Sequence, residues 1–466
     1  MTIIQPLSFF IIGTMPILFA AVQPWVWSLY SLLMIAAFIL FLWTRQDQSV
    51  ILRVGYLNKT VVIFFIWTFF LCLPFPYPVL SFLSPTQSEI LTQAWALTDS
   101  TPAWETISYS SRKALSWWVF LVSLGLFFIV VRDLCLERKM LKRIVFVMIG
   151  IGLIEAAYGL VQTLVPSMGV LWVDFVRDYI GTARGTFINR NHFAGFIEMI
   201  WPLALGITLA HTGRVHSLKE VLGSDRLNRQ ALMALGVIVL LLALIFTRSR
   251  AGIFSGLIGF LAFFIMARTG MKDAGLQTRF LFGGITVLMC IYTMTIGVGP
   301  ILDRFLIIGD ASHSRVDIWR DSLPIIKNHP LGIGLGNYEN VFAVYNQSAI
   351  SGKTVTHAHN DYLQLLIETG WIGFLAAVGG FIIFLGKSAG RIKHLDFRRD
   401  PLRFYLAIGA FSGLISMTAH SIFDFNLQIP ANCMYFVVLL AVLSACTPTL
   451  QKPEGFRAKA SRVGID

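Results

Sequence analysis

Apolar runs recur along almost the whole chain, and they constrain the fold more than any other feature. Most of them have about 18 or more residues, which is enough for a helix to cross a bilayer core about 30 Å thick. Of the 466 residues, 56% are hydrophobic and only 13% are charged. A soluble protein of this size carries roughly 25% charged residues. The pattern predicts an all-α polytopic membrane protein and argues against a soluble enzyme.

We expect about twelve transmembrane helices with both chain termini on the inner side. The predicted spans are 8–22, 25–43, 60–82, 115–131, 144–165, 192–211, 230–247, 251–267, 280–298, 362–386, 402–421 and 430–447. With the N-terminus inside, the inner loops and the tail hold 25 of the 37 Lys and Arg residues, as the positive-inside rule requires. The short basic inner loops account for the net charge of +12, and their Lys and Arg side chains are suited to contact with anionic lipid. The charge therefore does not indicate binding of nucleic acid.

The hydrophobic pattern divides the chain into five regions. They are an N-terminal four-helix region over 1–143, a central transmembrane region with an outer arginine turn over 144–298, a large outer loop between helices 9 and 10 over 299–361, C-terminal transmembrane helices over 362–447, and a basic inner tail over 448–466. The large loop contains a predicted amphipathic helix around 314–327, interrupted by Pro324. The five cysteines are scattered without a CxxC motif, and they predict neither a disulfide framework nor a zinc site.

Two histidines, His357 and His359, stand directly before the tenth predicted span. A helix N-terminus disfavours imidazolium, so His359 would tend to stay neutral and able to accept a proton. A capping histidine, or a buried one bonded to a loop, would give the same pattern. Asp361 follows two residues later and makes a metal site conceivable, but neither a DxD pair nor another outer carboxylate cluster accompanies it. We therefore expect a site without metal.

Arginines at the outer mouth of the predicted bundle indicate an anionic ligand. Arg248 and Arg250 lie in a tight turn between two apolar runs, and Arg315 lies on the loop that leads to the histidines. The planar guanidinium group binds phosphate oxygens in a bidentate manner. A lipid phosphate or pyrophosphate at the membrane surface fits this placement. Snorkelling of ordinary flanking arginines to the interface is the alternative.

Several other polar residues are open to both a functional and a structural interpretation. Glu155 and Glu198 are carboxylates inside predicted spans, where such groups serve either a functional site or contacts between helices. The glycine turn at 332–336 follows no predicted strand, so it does not predict dinucleotide binding. Asp424 and Asn426 are expected to cap the last outer turn.

The ordered set of motifs resembles the bacterial O-antigen ligase family, whose superfamily also contains O-antigen polymerases and O-linked protein oligosaccharyltransferases. His359 and Asn360, nine further residues and Gly370 match the family's H-[NSQ]-x9-G signature. The other similar stretches are the turn at 247–252 with Arg248 and Arg250, the pair Arg315 and Trp319, the segment 185–191 with Asn189 and Asn191, and the glycine turn at 332–336. The resemblance covers roughly residues 150–445.

This resemblance implies a metal-independent, inverting membrane glycosyltransferase that uses no cofactor. The donor would be a glycan on undecaprenyl pyrophosphate, and the site would face the periplasm from the bacterial inner membrane. By the same resemblance, His359 would activate the acceptor hydroxyl, while Arg250 and Arg315, with Arg248 in the same turn, would hold the pyrophosphate. The supporting residues would be His357, Asn360, Asn189, Asn191, Asp361 and Gly370.

The acceptor stays open at this point. Lipid A core would make the protein a ligase, which the signature favours, and a growing glycan would make it a polymerase. A Ser or Thr side chain would make it a protein glycosyltransferase. A transporter or flippase for a lipid-linked anion is the rival class, and such proteins tend to contain internal repeats. No repeat is visible in the sequence.

Overall fold

The computed structural model describes residues 3–44, 59–97, 104–165, 167–171, 173, 180–211, 225–271, 283, 315–347 and 354–448. Helices dominate this part of the chain. The helices are α1 (Ile4–Thr14), α2 (Pro24–Thr44), α3 (Lys59–Phe70), α4 (Tyr77–Leu83), α5 (Pro85–Ala96), α6 (Ser111–Leu136), α7 (Arg138–Leu164), α8 (Arg190–Ala210), α9 (Asp225–Phe246), α10 (Arg250–Met271), α11 (Arg315–Asn328), α12 (Tyr338–Tyr345), α13 (Asp361–Ile392), α14 (Pro401–His420) and α15 (Pro430–Cys446). Strands β1 (Pro74–Pro76) and β2 (Trp104–Thr106) form one antiparallel pair, with Phe75 opposite Glu105.

Seven of these helices are long and apolar enough to cross a membrane, namely α2, α6, α7, α8, α10, α13 and α14. Helices α1, α3, α9 and α15 are apolar but shorter. Every predicted span except the ninth overlaps one of these eleven helices. The ninth span, 280–298, lies outside the described residues apart from Gly283, as do the loop residues 299–314 and the tail from 449 onward. The expectation of a mostly helical, multi-pass membrane protein is confirmed at this level.

Three predicted boundaries are wrong. Helix α1 ends at Thr14, just before Pro16, so it does not fill the span 8–22. The span 60–82 is not one helix, because α3 ends at Phe70 and the chain turns into the proline-rich strand β1, which cannot continue a helical ladder. The predicted inner loop 132–143 does not exist, since Glu137 alone separates α6 from α7.

Helices α8 and α14 form the centre of the bundle and pack backbone against backbone. The apolar stretch of α8 is 94% buried within the protein. A Cβ added at Gly206 would lie 2.5 Å from the carbonyl oxygen of Tyr405, and one at Gly409 would lie 2.6 Å from that of Pro202. Only glycine allows helices to approach this closely. The close crossing fixes the start of α8 beside the end of α14.

The described helices meet at two distinct ends of the bundle. At one end, the backbone N–H of Asp361 donates to Ser421 O (2.9 Å), and Asn432 Nδ2 donates to His192 O (2.9 Å). These contacts bring together the starts of α8, α13 and α15 and the end of α14, and we call this the site end. At the opposite end, Arg138 pairs with Asp400 (3.1 Å).

Helix α13 is bent at Gly370, whose φ of +63° and ψ of −174° belong to a region that is essentially restricted to glycine. The turn at 330–336 packs against this bend. A Cβ on Gly332 would lie 2.6 Å from the nitrogen of Gly370, and the N–H of Trp371 donates to Pro330 O (3.2 Å). The glycine turn and the glycine of the H-[NSQ]-x9-G signature are therefore the two sides of one close backbone contact.

The carbonyl groups next to the bend accept hydrogen bonds from outside the helix. The pairs are Ile333 N to Ile367 O (3.1 Å), Gly334 N to Glu368 O (2.9 Å), and Trp67 Nε1 to Thr369 O (2.7 Å). The bend therefore leaves none of these three carbonyl groups without a hydrogen bond. It also docks the segment that carries α11 and α12 onto the first turns of α13.

Helices α11 and α12 pack with the start of α13 into a second, smaller apolar core. Its buried members are Ile318, Ile325, Ile333, Tyr338, Val341, Phe342, Ala358 and Ile367. Helix α11 runs unbroken through Pro324, so the predicted interruption is wrong. Ile318 and Ile325 bury their side chains on either side of the proline, and this burial offsets its missing hydrogen bond.

Candidate functional site

The polar residues of the site end meet at the buried carboxylate of Asp424. Its side chain has no solvent exposure. The donors around it are His359 Nδ1 (3.2 Å) and the backbone N–H of Phe425 (2.9 Å) at Oδ1, and Asn191 Nδ2 (2.7 Å) and Arg315 Nη2 (3.2 Å) at Oδ2. His192 Nε2 lies 3.8 Å from Oδ1. Residues far apart in the sequence therefore meet at one charge.

Asp424 carries a negative charge in this setting. Burial alone would raise the pKa of its carboxyl group, but the neighbouring His192, the hydrogen bond from His359 and the charge of Arg315 outweigh burial and hold that pKa well below its usual range. An ionised carboxylate only accepts hydrogen bonds. The nitrogen of His359 that faces it must therefore carry a hydrogen.

His359 is oriented so that its second ring nitrogen is open. Nδ1 donates to Asp424, which leaves the lone pair of a neutral ring on Nε2. The side chain is 31% exposed, so part of the ring is accessible to a bound molecule. The backbone of His359 has φ of +50°, a left-handed conformation that costs a non-glycine residue about 1–2 kcal/mol. Strain of this kind concentrates at functional sites.

His357, the other candidate base, is engaged by the amide of Gln364. Gln364 Oε1 accepts from the N–H of Ala358 (3.2 Å), and both atoms of the amide lie near His357 Nδ1, Nε2 at 3.2 Å and Oε1 at 3.3 Å. Burial lowers the pKa of His357 to about 4, which keeps the ring neutral. In either tautomer Nδ1 is engaged by Gln364, and the ring is stacked on Phe425. The geometry therefore favours His359 over His357 as a proton acceptor.

Three imidazole rings surround Phe425. The ring of His357 stacks on it with centroids 4.1 Å apart and an interplanar angle of 17°. The rings of His192 and His359 contact it nearly edge-on, at 4.6 Å and 4.8 Å. Phe425 thus separates the histidines and limits the orientations open to each of them.

Arg315 lies in the site, but part of its guanidinium is already engaged. Nη2 contacts Asp424 and Nη1 donates to the carbonyl oxygen of Phe423. The side chain is 34% exposed, so a second edge faces outward. Such a group can hold the carboxylate and an external anion at the same time.

Arg248 and Arg250 are both exposed at the start of α10. Arg248 has φ of +53°, which forms the tight turn between α9 and α10. A Cβ on Gly252 would lie 2.6 Å from Cβ of Ala194, so that only glycine fits between α10 and α8. The rings of Phe254 and Phe423 are in contact, with centroids 6.3 Å apart. Phe423 directly precedes Asp424 in the sequence. These contacts hold the turn with Arg248 and Arg250 beside Asp424 and its partners.

Most of the predicted supporting residues organise the backbone. Asn189 caps α8 by accepting from the N–H of Asn191 (2.8 Å), and Asn360 caps α13 by accepting from Leu363 N (3.0 Å). Asp361 is buried and accepts from Leu427 N (3.0 Å), which ties α13 to the turn after α14. Asn191 differs, because its side chain contacts Asp424 directly.

The two carboxylates inside predicted spans both connect segments of the fold. Glu155 accepts from the backbone N–H and the hydroxyl of Thr186, each at 2.8 Å, and so holds the loop before α8. Glu198 lies 3.0 Å from Nδ1 of His420 and accepts from Ser416 Oγ (3.1 Å), which joins α8 to α14.

Asp424, His192 and Phe425 are the site residues that the sequence interpretation missed. Asp424 was expected only to cap a turn, and it does accept from the next backbone N–H. Its position at the outer end of a span, level with the predicted histidine, was the available signal. The described residues contain no group of three or more His, Cys, Asp and Glu side chains that could hold a metal ion.

Residues 235–378 match the family model described as O-antigen ligase. The matched segment includes the arginine turn, Arg315, both histidines and Gly370, whereas Asp424 lies beyond its end. No curated protein matches the chain. The match agrees with the resemblance to the O-antigen ligase superfamily that the motifs carry.

Proposed function

We propose that the protein transfers a glycan from undecaprenyl pyrophosphate to an acceptor hydroxyl, without a metal ion, at the periplasmic face of the bacterial inner membrane. The observation that carries this proposal is the pair formed by His359 and Asp424. The carboxylate of Asp424 fixes Nδ1–H of the ring, which leaves the lone pair on Nε2 of a side chain that is 31% exposed. This arrangement suits a general base.

In the proposed reaction, Nε2 of His359 takes the proton of the acceptor hydroxyl as its oxygen bonds to the anomeric carbon. The bond from that carbon to the phosphate oxygen breaks on the opposite side, and undecaprenyl pyrophosphate leaves with the electron pair. The configuration of the anomeric carbon is therefore inverted. The buried charge of Asp424 stabilises the imidazolium that forms. Pyrophosphate is a good leaving group, so the protein supplies positioning, one base and cationic contacts.

We assign the pyrophosphate to the exposed Arg250 and Arg248 and to the outward edge of Arg315. Arg250→Ala is expected to raise the donor KM about tenfold or more, because a charge-assisted hydrogen bond contributes about 1.5–3 kcal/mol. Arg250→Lys keeps the charge and loses the bidentate geometry, so a smaller rise is expected. Arg399→Ala, an exposed arginine in the loop between α13 and α14, is the matched control. Unchanged donor KM in Arg250→Ala would remove Arg250 from the donor site.

The acceptor is identified by product analysis in reconstituted vesicles. A defined undecaprenyl-pyrophosphate glycan is offered with lipid A core, with a glycan acceptor and with a Ser/Thr peptide, each with and without EDTA. We expect glycan on lipid A core, which defines a ligase, together with free undecaprenyl pyrophosphate in the presence of EDTA. A lengthened lipid-linked glycan would instead define a polymerase.

The same experiment tests the glycosyltransferase assignment itself. Donor that crosses the bilayer with every glycan still attached would favour a transporter and contradict the proposal. Activity that disappears with EDTA and returns with one divalent ion would contradict the metal-free reaction.

A further inference from the structure

A buried polar chain leads from the glycine turn to the ring of Phe425. It starts at Glu368, which is 2% exposed and lies next to the backbone of Gly336 and Tyr338. Gln364, 1% exposed, donates to Glu368 Oε1 (3.0 Å). Because all these groups are buried and paired, the carboxylate and the amide have one arrangement in which their hydrogen bonds are satisfied.

The chain continues through His357. The Gln364 amide contacts His357 Nδ1 through Nε2 (3.2 Å) and Oε1 (3.3 Å), and the same oxygen accepts from Ala358 N (3.2 Å). The amide therefore has no freedom to turn without losing bonds at both ends. It sets the plane of the His357 ring.

The ring of His357 in turn sets that of Phe425. The two rings are nearly parallel at 4.1 Å, and the edge of His359 contacts the same phenyl ring at 4.8 Å with an interplanar angle of 77°. The N–H of Phe425 also holds Oδ1 of Asp424, the atom to which His359 donates. The candidate base is thus fixed from two directions, by the carboxylate and by the phenyl ring.

We propose that Glu368, Gln364 and His357 are positioning residues that orient the imidazole of His359 through the ring of Phe425. This inference rests on the proposed role of His359 as the base. It gives the second histidine of the motif a stacking role rather than a proton-transfer role. It also makes the alignment of the base depend on the glycine turn that docks onto the bend of α13.

The test compares kcat and donor KM for three disruptive variants in vesicles. His357→Ala removes the stack, Gln364→Met removes the hydrogen bonds at similar size, and Phe425→Leu removes the shared ring. Each is expected to lower kcat about tenfold or more, because a small misplacement of a reacting group is costly. Donor KM is expected to change by less than about a factor of two, because the arginines are untouched. Phe381→Leu, whose ring packs on Phe436 along the length of α13, is the matched control.

Two further measurements separate positioning from general damage to the fold. His357→Phe keeps the flat stack but loses the bond to Gln364, so its kcat is expected to lie between those of His357→Ala and the wild type. The double variant of His357→Ala with Gln364→Met is expected to lose no more than the worse single variant, because both changes break one chain. If His357→Ala does not fold, Gln364→Met and His357→Phe carry the test.

The inference is overturned if the folded disruptive variants keep wild-type kcat, or if their losses multiply in the double variant. It is also overturned if His357→Phe is as inactive as His359→Ala, because His357 would then transfer a proton itself. Full activity in His359→Ala is a different result, which would overturn the proposed base and not only its positioning.

Discussion

At the residue scale, the site depends on how one carboxylate distributes its hydrogen bonds. Oδ1 of Asp424 accepts a hydrogen bond from His359, the candidate base, and Oδ2 accepts hydrogen bonds from Arg315 and Asn191. The pairing fixes the tautomer of His359 and places a cation next to it. A buried charge with this many partners is costly to disturb, because each partner loses its bond when the charge is removed.

Asp424→Asn is therefore expected to lower kcat about 100-fold or more while the protein still folds. The amide keeps the size of the side chain but loses the charge that stabilises the imidazolium and selects the Nδ1–H tautomer. Single-turnover transfer from the lipid-linked donor measures the effect. Asp317→Asn, on the outer helix α11 and paired with Arg320 at 3.3 Å, is the control. Wild-type kcat in Asp424→Asn would rule out the proposed role of the pair.

His329 gives a prediction about stability and pH. It is buried against Tyr109 and Tyr345, and burial lowers its pKa to about 4, whereas a histidine in the unfolded chain has a pKa of about 6.5. Between these values the unfolded chain binds a proton that the folded protein excludes. The stability contributed by the neutral ring is present above about pH 6.5 and is lost as the pH falls towards 4.

The melting temperature of the wild type is accordingly expected to fall between pH 7 and pH 5, and His329→Phe is expected to reduce that slope. His394→Gln, an exposed histidine at the end of α13, is the control and should keep the full slope. The buried His357 leaves part of the slope in every variant. Equal slopes in His329→Phe and the wild type would contradict the assignment.

At the scale of elements, the bend in α13 joins helices α11 and α12 to the rest of the helical bundle. Gly370→Ala places a methyl group against the carbonyl group of Leu331 and imposes a backbone conformation reserved for glycine. We expect a loss of roughly 1–3 kcal/mol from the backbone alone. Melting temperature and proteolysis of the 330–347 segment measure it. Gly379→Ala, in the same helix with nothing within 4 Å of the added Cβ, should leave both unchanged. If Gly370→Ala also leaves the melting temperature and the proteolysis unchanged, the bend does not hold α11 and α12.

The sequence predicted the helices well because long apolar runs are a strong signal, but it could not resolve their ends. The basic residues at 132–143 indicated a loop, yet they continue two helices around the single residue Glu137. The choice between His357 and His359 depends on a hydrogen bond with Gln364, and the role of Asp424 depends on contacts between helices distant in sequence. Such contacts exist only after packing, so periodicity and spacing do not reveal them.

At the scale of the whole molecule, the proposal needs the site end to face the periplasm. Single cysteines at Asn328 and Arg399, both exposed, report on the two ends in a background without the native cysteines. A membrane-impermeant maleimide added to intact spheroplasts is expected to label Asn328→Cys at once. Arg399→Cys should react only after permeabilisation. The reverse pattern would place the site on the cytoplasmic side and contradict the use of a periplasmic donor.

The bundle also explains how distant parts of the chain form one site. The glycine crossing of α8 and α14 sets Asn191 beside Asp424, and the bend of α13 brings Arg315 and His359 to the same carboxylate. The arginine turn reaches the cluster through the start of α10. The helical core therefore supplies the rigid frame, and the candidate site residues lie at its rim.

The most direct test of this account is the release of undecaprenyl pyrophosphate by His359→Ala protein in vesicles supplied with lipid-linked glycan and acceptor. Asp317→Asn, which is expected to keep wild-type activity, is run in parallel as a control for protein handling. We predict that His359→Ala binds the donor with little change in affinity but releases undecaprenyl pyrophosphate at least about 100-fold more slowly, because it lacks the general base. Release at the wild-type rate by folded His359→Ala protein would contradict the central claim.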